Sequence, residues 1–339
     1  MRLKHRLFAA AFQVVDSTRA DRWLRYLSQG RGVILMFNHV RPRVARTFAP
    51  NRRLEITPAF LDLILSELHH EGFDIVPLAA VHDRLRSDGH APPFAALTFD
   101  DGYRDNVEHA WPILRRHGAP WTLFVTTEFT DGRGRLWWVE LEEAIIRLDR
   151  VVLRLDGELL DLPTRTVNEK QGAFDSIYRR LRTMPEERLR AATADLAGQA
   201  GVDARHLTNQ LCLSWDELQS LAREPDVTIG AHTLSHPMLA SCDATTAAPK
   251  GGPRAPPRTT GPASCLPIRR CCPRPARMNS TLPARCRLCH RAQGTSFPIT
   301  ALTCTHYRGD GLFQSRSAVR ALFSGVPFLP WNLSPFAKA

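Results

Sequence analysis

The stretch Ala95-Ala96-Leu97-Thr98-Phe99-Asp100-Asp101-Gly102-Tyr103 decides the fold of this 339-residue chain. Its first five residues form an unbroken, mostly apolar run, the pattern of a short strand covered on both faces. The run stops on two adjacent carboxylates and then on Gly102, which permits a sharp turn. Three similar runs accompany it: Val33-Ile34-Leu35-Met36-Phe37, ended by Asn38-His39; Trp121-Thr122-Leu123-Phe124-Val125; and Val227-Thr228-Ile229-Gly230-Ala231, which delivers His232.

Helical sequence fills the intervals. Thr57 is a good N-cap with Pro58 at the first helical position, and Phe60, Leu61, Leu63, Ile64, Leu65 and Leu68 supply an apolar face before Gly72. Ile75-Val76 reads as a short strand, 81–85 as a helix, and 106–117 as a helix closing on Gly118. Ser214-Trp215-Asp216-Glu217 is a capping box opening the helix at 218–223. This order predicts parallel strands joined by crossover helices, an α/β fold of barrel or doubly wound type. Two short apolar runs around Asp156-Gly157 predict a hairpin, and helical sequence continues to residue 200, so 139–210 is an excursion from the main repeat.

Asp100 and Asp101 leave their turn in different directions, so one can bind a metal while the other takes a proton from water. Asp-Gly is also a favoured turn dipeptide, and a solvated turn explains the pair as well when it is taken alone. Gly230-Ala231-His232-Thr233-Leu234-Ser235-His236-Pro237 sets two imidazoles four residues apart, within reach of one ion. For an isolated pair, two capping or surface histidines are the plainer reading. Both motifs, however, follow buried strands, and the strands of a parallel sheet end at one edge, where α/β folds build their active sites. That convergence favours the chemical reading.

TFDDGY at 98–103 followed by GAHTLSHP at 230–237 resembles the NodB-homology polysaccharide deacetylases, carbohydrate esterase family 4. Met36-Phe37-Asn38-His39-Val40 is similar to that family's opening strand, and the likeness covers 32–240. It resumes weakly from Gly311-Leu312-Phe313-Gln314 to Pro330-Trp331-Asn332. The resemblance implies a distorted (β/α) barrel with a divalent metal at the C-terminal rim of its strands, Zn2+ first and Co2+ as a substitute. It implies N-deacetylation of a bacterial polysaccharide or chitooligosaccharide, including the kinds used in exopolysaccharides and nodulation signals. Carried onto matching positions, Asp101, His232 and His236 become the metal ligands and Asp100 the general base.

Weaker candidates surround that set. His39 ends a strand, with a satisfied structural histidine as its plainer reading, and Thr233 either orients a ligand or caps a turn. Tyr103, Trp137 and Trp138 are candidates to stack on sugar rings, against ordinary packing. His109, His117 and His206 have no usable spacing. The family pattern also expects an Arg or aromatic-Pro-Tyr strand and a leucine-rich strand ending in the histidine that protonates the leaving amine. Neither is recognisable, so the barrel is expected to be incomplete.

Composition locates the gap. The net charge of +11 and the pI near 9.8 ordinarily suggest a polyanionic partner, but the charge is unevenly spread. Residues 241–310 hold eleven basic residues against Asp243 and Asp310, a surplus of nine, together with seven of the eight cysteines. They also show no strand or helix periodicity, which returns near Leu312 with Val319, Leu322 and Phe323 on a short helix. Three readings compete for this segment. Cys271-Cys272 with Cys286, Cys289 and His290 offers metal ligands, but adjacent cysteines are poor tetrahedral partners. A basic arm for nucleic acid or another polyanion lacks the aromatic interleaving of specific recognition, so no specific nucleic acid is expected. Translation out of frame explains the loss of acids, the loss of periodicity and the surge of Cys, Pro and Arg together, and it is preferred.

The expected organisation is therefore an N-terminal amphipathic helix at 1–31, a deacetylase domain at 32–240, the anomalous segment at 241–310 and a remnant of the domain at 311–339. The basic face of the first helix, with Arg2, Lys4, His5 and Arg6, reads as solvated, with contact to a membrane surface as the alternative. No apolar run approaches the ~20 residues of a membrane span, and a cytoplasmic protein is expected. A sugar-binding deacetylase domain without turnover and a polyanion binder acting through its basic arm are the rival classes.

Overall fold

The computed structural model describes residues 30–86, 91–238 and 315–324, the backbone of 302–306, and positions 10, 13–15 and 17–20. Strand β1 (Gly32–Phe37) leads through two short paired strands, β2 (His39–Val40) and β3 (Glu55–Ile56), into helix α1 (Pro58–His70). The Thr57 side chain accepts from the Phe60 amide and so caps α1, as the sequence predicts. There follow β4 (Asp74–Ile75), one residue earlier than predicted, then α2 (Val81–Arg86) and β5 (Phe94–Phe99). The helix predicted at 106–117 is in two parts, a π-helical turn at Asn106–Ala110 and α3 (Trp111–Arg116). Pro112 lacks the N–H that would bond four residues back, and this opens the turn before it. Strand β6 (Trp121–Val125) and the single turn α4 (Thr127–Thr130) complete this half.

The excursion then supplies α5 (Trp137–Arg147), the hairpin β7 (Arg150–Leu155) and β8 (Glu158–Pro163), and helices α6 (Val167–Leu181), α7 (Glu186–Gln199) and α8 (Ala204–Leu211). The predicted capping box at Ser214 and Glu217 starts α9 (Trp215–Leu221), which returns the chain to the sheet as β9 (Val227–Ala231). The last described elements are β10 (Leu302–His306) and α10 (Arg316–Ser324).

One parallel sheet organises the molecule, in the order β10, β1, β5, β6, β9. Strand β5 is buried at all six residues, as its unbroken run requires, and β1 pairs with it along its whole length. Its other edge is shared: β4 pairs with Phe94 and Ala95, while β6 pairs with Leu97, Thr98 and Phe99. Among the described residues the pairing forms an open path with the mixed α/β, parallel character predicted for the barrel. Because every pairing in it is parallel, β1, β5, β6 and β9 all end on one edge.

The two largest apolar clusters among the described residues lie on the sheet and in the excursion. Leu35, Phe37, Phe99, Trp121 and Leu123 pack with Leu61, Ile64 and Leu65 of α1 in one of them. Val319 and Phe323 of α10 belong to the same core, and Phe73 lies 5.4 Å from Phe323 between ring centroids. The excursion builds its own core from Trp137, Trp138, Leu141, Ile145, Val151, Leu153, Phe174, Ile177 and Leu189, which also takes in Tyr103 and Phe129.

The strand β10 differs from expectation, since the interval 241–310 shows no sequence pattern. Leu302-Thr303-Cys304-Thr305-His306 has no unbroken apolar run, and its pairing with β1, Gly32 opposite Leu302 through Met36 opposite His306, is what defines it. The rest of that interval, with the proposed cysteine ligands and the basic arm, lies outside the described residues. So does most of 1–29, where positions 10, 13–15, 17 and 20 are helical. No described helix is long and apolar enough to cross a membrane.

Candidate metal centre

The ends of β1, β5, β6 and β9 deliver Asn38-His39, Asp100-Asp101, Thr126-Thr127 and His232 to the same edge. Asp101, His232 and His236 come together there, each offering one ligand atom, all within 4.8 Å of one another. Asp101 Oδ1 is 3.4 Å from His232 Nε2 and 3.2 Å from His236 Nε2. Asp100 and Asp101 are both buried, and the Asp100 amide donates to the Phe37 carbonyl at 2.9 Å, fastening the turn to the end of β1.

Backbone strain is concentrated at this point. Five non-glycine residues among those described have positive φ, and three of them are Asp101 (+73°), Thr233 (+68°) and His236 (+54°). A left-handed non-glycine residue costs about 1–3 kcal/mol and persists only where its surroundings over-determine it. Gly102 is left-handed too, at +73°, so the chain makes two such residues in succession and turns Asp101 toward the histidines. On the histidine loop, the Thr233 hydroxyl accepts from the His236 amide at 3.0 Å, which closes the turn between the two imidazoles. The β6 end supports that loop: Thr126 Oγ1 donates to the His232 carbonyl at 3.0 Å, and the Thr127 and Glu128 amides donate to the Thr233 and Leu234 carbonyls. In return the His232 amide donates to Val125. Close passage of β9 beside β6 requires Gly230, because a Cβ there would stand 2.4 Å from the Phe124 ring.

Aromatic rings wall the histidines. Trp138 is 5.1 Å from His236 and Phe129 is 6.1 Å from it in a stacked arrangement, while Phe124 is 6.5 Å from His232. Trp137 and Trp138 are 6% exposed and Tyr103 is 0% exposed, so the three rings offered by the sequence for sugar stacking sit inside the excursion core. Burial, and then the charge of Asp101, pushes the Tyr103 phenol well above its ordinary value and keeps it protonated. Burial acts the same way on the Cys212 thiol, reinforced by Asp101 and Asp105.

His39 is also buried. Its Nδ1 lies 2.6 Å from Asp105 Oδ2, its ring stacks on Tyr103 at 3.6 Å, and Asp105 Oδ1 accepts from the Val40 amide at 3.2 Å. This arrangement ties β2 to the turn after β5. Asn38 reaches the candidate ligand Asp101 instead: its Nδ2 donates to Asp101 Oδ2 at 3.2 Å. Asn38, Asp105, Thr126 and Phe129 were not singled out as site residues. Asn38 and Thr126 carry a usable signal, since each follows a buried strand as Asp100 and His232 do.

Residues 88–150 match the family model described as polysaccharide deacetylase. Over these residues the chain is similar to the polysaccharide deacetylases. That is the family read from the motifs, and its members are enzymes that remove acetyl groups from carbohydrate. The matched stretch contains the Asp100-Asp101 turn and ends before the histidine loop. Among solved structures, similar chains include the deacetylase PplD of Streptococcus pyogenes, at 15% identity over 64% of this chain and 62% of that one, with a TM-score of 0.37. The de-N-acetylase of Aggregatibacter actinomycetemcomitans matches at 15% identity over 60% and 54%, with a TM-score of 0.32. IcaB of Ammonifex degensii matches at 16% identity over 62% and 55%, also with a TM-score of 0.32. The chain thus spans between 54% and 62% of the length of these three. No curated protein matches it.

Proposed function

We propose that this chain is a metal-dependent N-deacetylase acting on N-acetylhexosamine units of a bacterial polysaccharide or chitooligosaccharide. The observation that carries the reading is the convergence of Asp101, His232 and His236 within 4.8 Å, next to a second buried carboxylate, Asp100. One carboxylate and two imidazoles suit zinc, with cobalt as a substitute, and three protein ligands leave room for water and substrate. A divalent ion held there supplies Lewis acidity toward the acetamide carbonyl and acidifies water.

The chain's own groups do the rest. Asp100 takes a proton from the attacking water as its oxygen bonds to the acetyl carbon, and returns that proton to the nitrogen as the C–N bond breaks, so that acetate and a free amine result. The aromatic wall of Phe124, Phe129 and Trp138 excludes bulk water from the ligand side, which strengthens every charge interaction inside it. His39, paired with Asp105, and Thr233, closing the histidine loop, act as supports of the site and not as sugar contacts.

The test is acetate release from chitooligosaccharides by the purified chain with zinc or cobalt added. Asp100→Asn is expected to lower release by a factor of about 10² or more, the usual worth of a general base. Zinc binding without release by the parent chain would instead identify a sugar-binding domain. Salt-sensitive binding to polyanions, lost on deleting 250–291, would identify the basic arm as the functional part.

A further inference from the structure

Four successive carbonyls of the histidine loop, those of residues 232 to 235, are all hydrogen-bonded. Three of the donors belong to the turn after β6: the Thr126 hydroxyl to His232, the Thr127 amide to Thr233 and the Glu128 amide to Leu234. The fourth comes from elsewhere in the fold. Arg190, on helix α7 of the excursion, donates its Nη2 to the Ser235 carbonyl at 2.5 Å. Its Nε donates to Glu186 Oε1 at 2.9 Å, one turn earlier on α7, and its Nη1 stands 4.0 Å from Glu128 Oε2. One guanidinium therefore holds the histidine loop, its own helix and the β6 turn together.

We infer that Arg190 is a positioning residue for the metal centre, and that through it the excursion governs how tightly the ion is held. The inference rests on the proposed metal site. Ser235 lies between the two ligands His232 and His236, and the loop it belongs to is left-handed at Thr233 and His236. Such a conformation relaxes unless its neighbours hold it. The three bonds from the β6 turn fix the loop up to Leu234, and the bond from Arg190 is the one placed directly before His236. Without it, His236 keeps its amide bond to Thr233, but the Ser235–His236 peptide loses the bond to its carbonyl. The planar, forked guanidinium suits this task because its three nitrogens, fixed in one plane, each face a different acceptor, whereas an ammonium group donates from a single freely rotating nitrogen.

The experiment uses the full chain and the variants Arg190→Met, Arg190→Lys and, as a control on the same helix, Arg188→Met. Arg188 is exposed and pairs with Asp156. Amide hydrogen exchange is measured on the metal-free proteins, zinc affinity by chelator competition, and the site geometry by the visible absorption of bound cobalt. Arg190→Met is expected to speed exchange at 232–238 while leaving the β7–β8 hairpin unchanged, to weaken zinc binding about 10- to 100-fold, and to alter the cobalt bands. Arg190→Lys should fall between Arg190→Met and the parent, and Arg188→Met should match the parent. Parent-like zinc affinity in Arg190→Met overturns the inference. Faster exchange spread equally over the hairpin and α7 also overturns it, since Arg190 would then only fasten the excursion to the body. A parent chain that binds no zinc would refute the proposed metal site, and the exchange data would still decide whether Arg190 holds the loop.

Discussion

The two carboxylate oxygens of Asp101 have different tasks: Oδ1 faces both imidazoles, and Oδ2 accepts from Asn38. Fixing the second oxygen sets the direction of the first, which is how outer groups tune a metal ligand. Asn38→Ala is therefore expected to weaken zinc binding by about tenfold with the fold intact, and an unchanged affinity in chelator competition would dismiss this role. The candidate ligands Asp101 and His232 were legible in the sequence because each lies just past a short apolar run, and His236 because it sets a second imidazole four residues on. The partners of His39 were not legible. Asp105 is two residues beyond Tyr103 in a stretch without pattern, and only the turn after β5 brings it to 2.6 Å from the imidazole. The aromatic candidates differ for a related reason. Tyr103, Trp137 and Trp138 have the right chemistry for sugar contact, but the excursion core closes over their faces.

At the scale of elements, helix α5 shows how burial sets a charge. Glu142 on α5 is 8% exposed, and its Oε2 accepts from the Asn51 amide at 3.3 Å. Asn51 in turn donates to the Trp138 carbonyl at 2.7 Å, which ties the turn at Pro50–Leu54 to the helix carrying the aromatic wall. Burial raises the Glu142 carboxyl above its ordinary value, and the bonds from Asn51 only partly oppose this. A raised folded-state value means that the native protein binds this proton more tightly than the unfolded chain does. The protonated carboxyl therefore contributes stability that is fully present below the ordinary glutamate value of about 4.3 and is lost as pH rises through the raised one. Glu142→Gln keeps an acceptor for Asn51 and removes the titration. In urea unfolding it should be more stable than the parent at neutral pH, with the gap closing as pH falls toward about 4. A gap that does not change with pH would show that Glu142 is not the group responsible.

For the molecule as a whole, the C-terminal helix raises the question of continuity. Glu67 of α1 is 2% exposed and is paired with Arg316 at 2.7 Å and Arg320 at 2.8 Å, both on α10. A carboxylate buried so deeply needs such partners, and they lie some 250 positions away in the chain. The chain after the anomalous segment thus contributes to the same core as the chain before it. Translation out of frame within 241–310, with the normal frame restored afterwards, is our proposal for the anomalous segment. Reading the coding DNA one base out of register across that interval should yield alternating strand and helix patterns and an aromatic-Pro-Tyr motif, and a register without them would remove the idea. The sequence by itself determined the α/β class, the strands that end at the functional edge, and the Asp100-Asp101 and His232-His236 motifs, because short-range burial patterns and turn chemistry are local properties. Only the tertiary structure decided which groups hold those motifs in place, among them Asn38, Thr126 and Arg190, and which distant partners Asp105 and Glu67 take. Their contacts join residues far apart in the chain, and no local pattern encodes which distant strand end or helix face will arrive beside them.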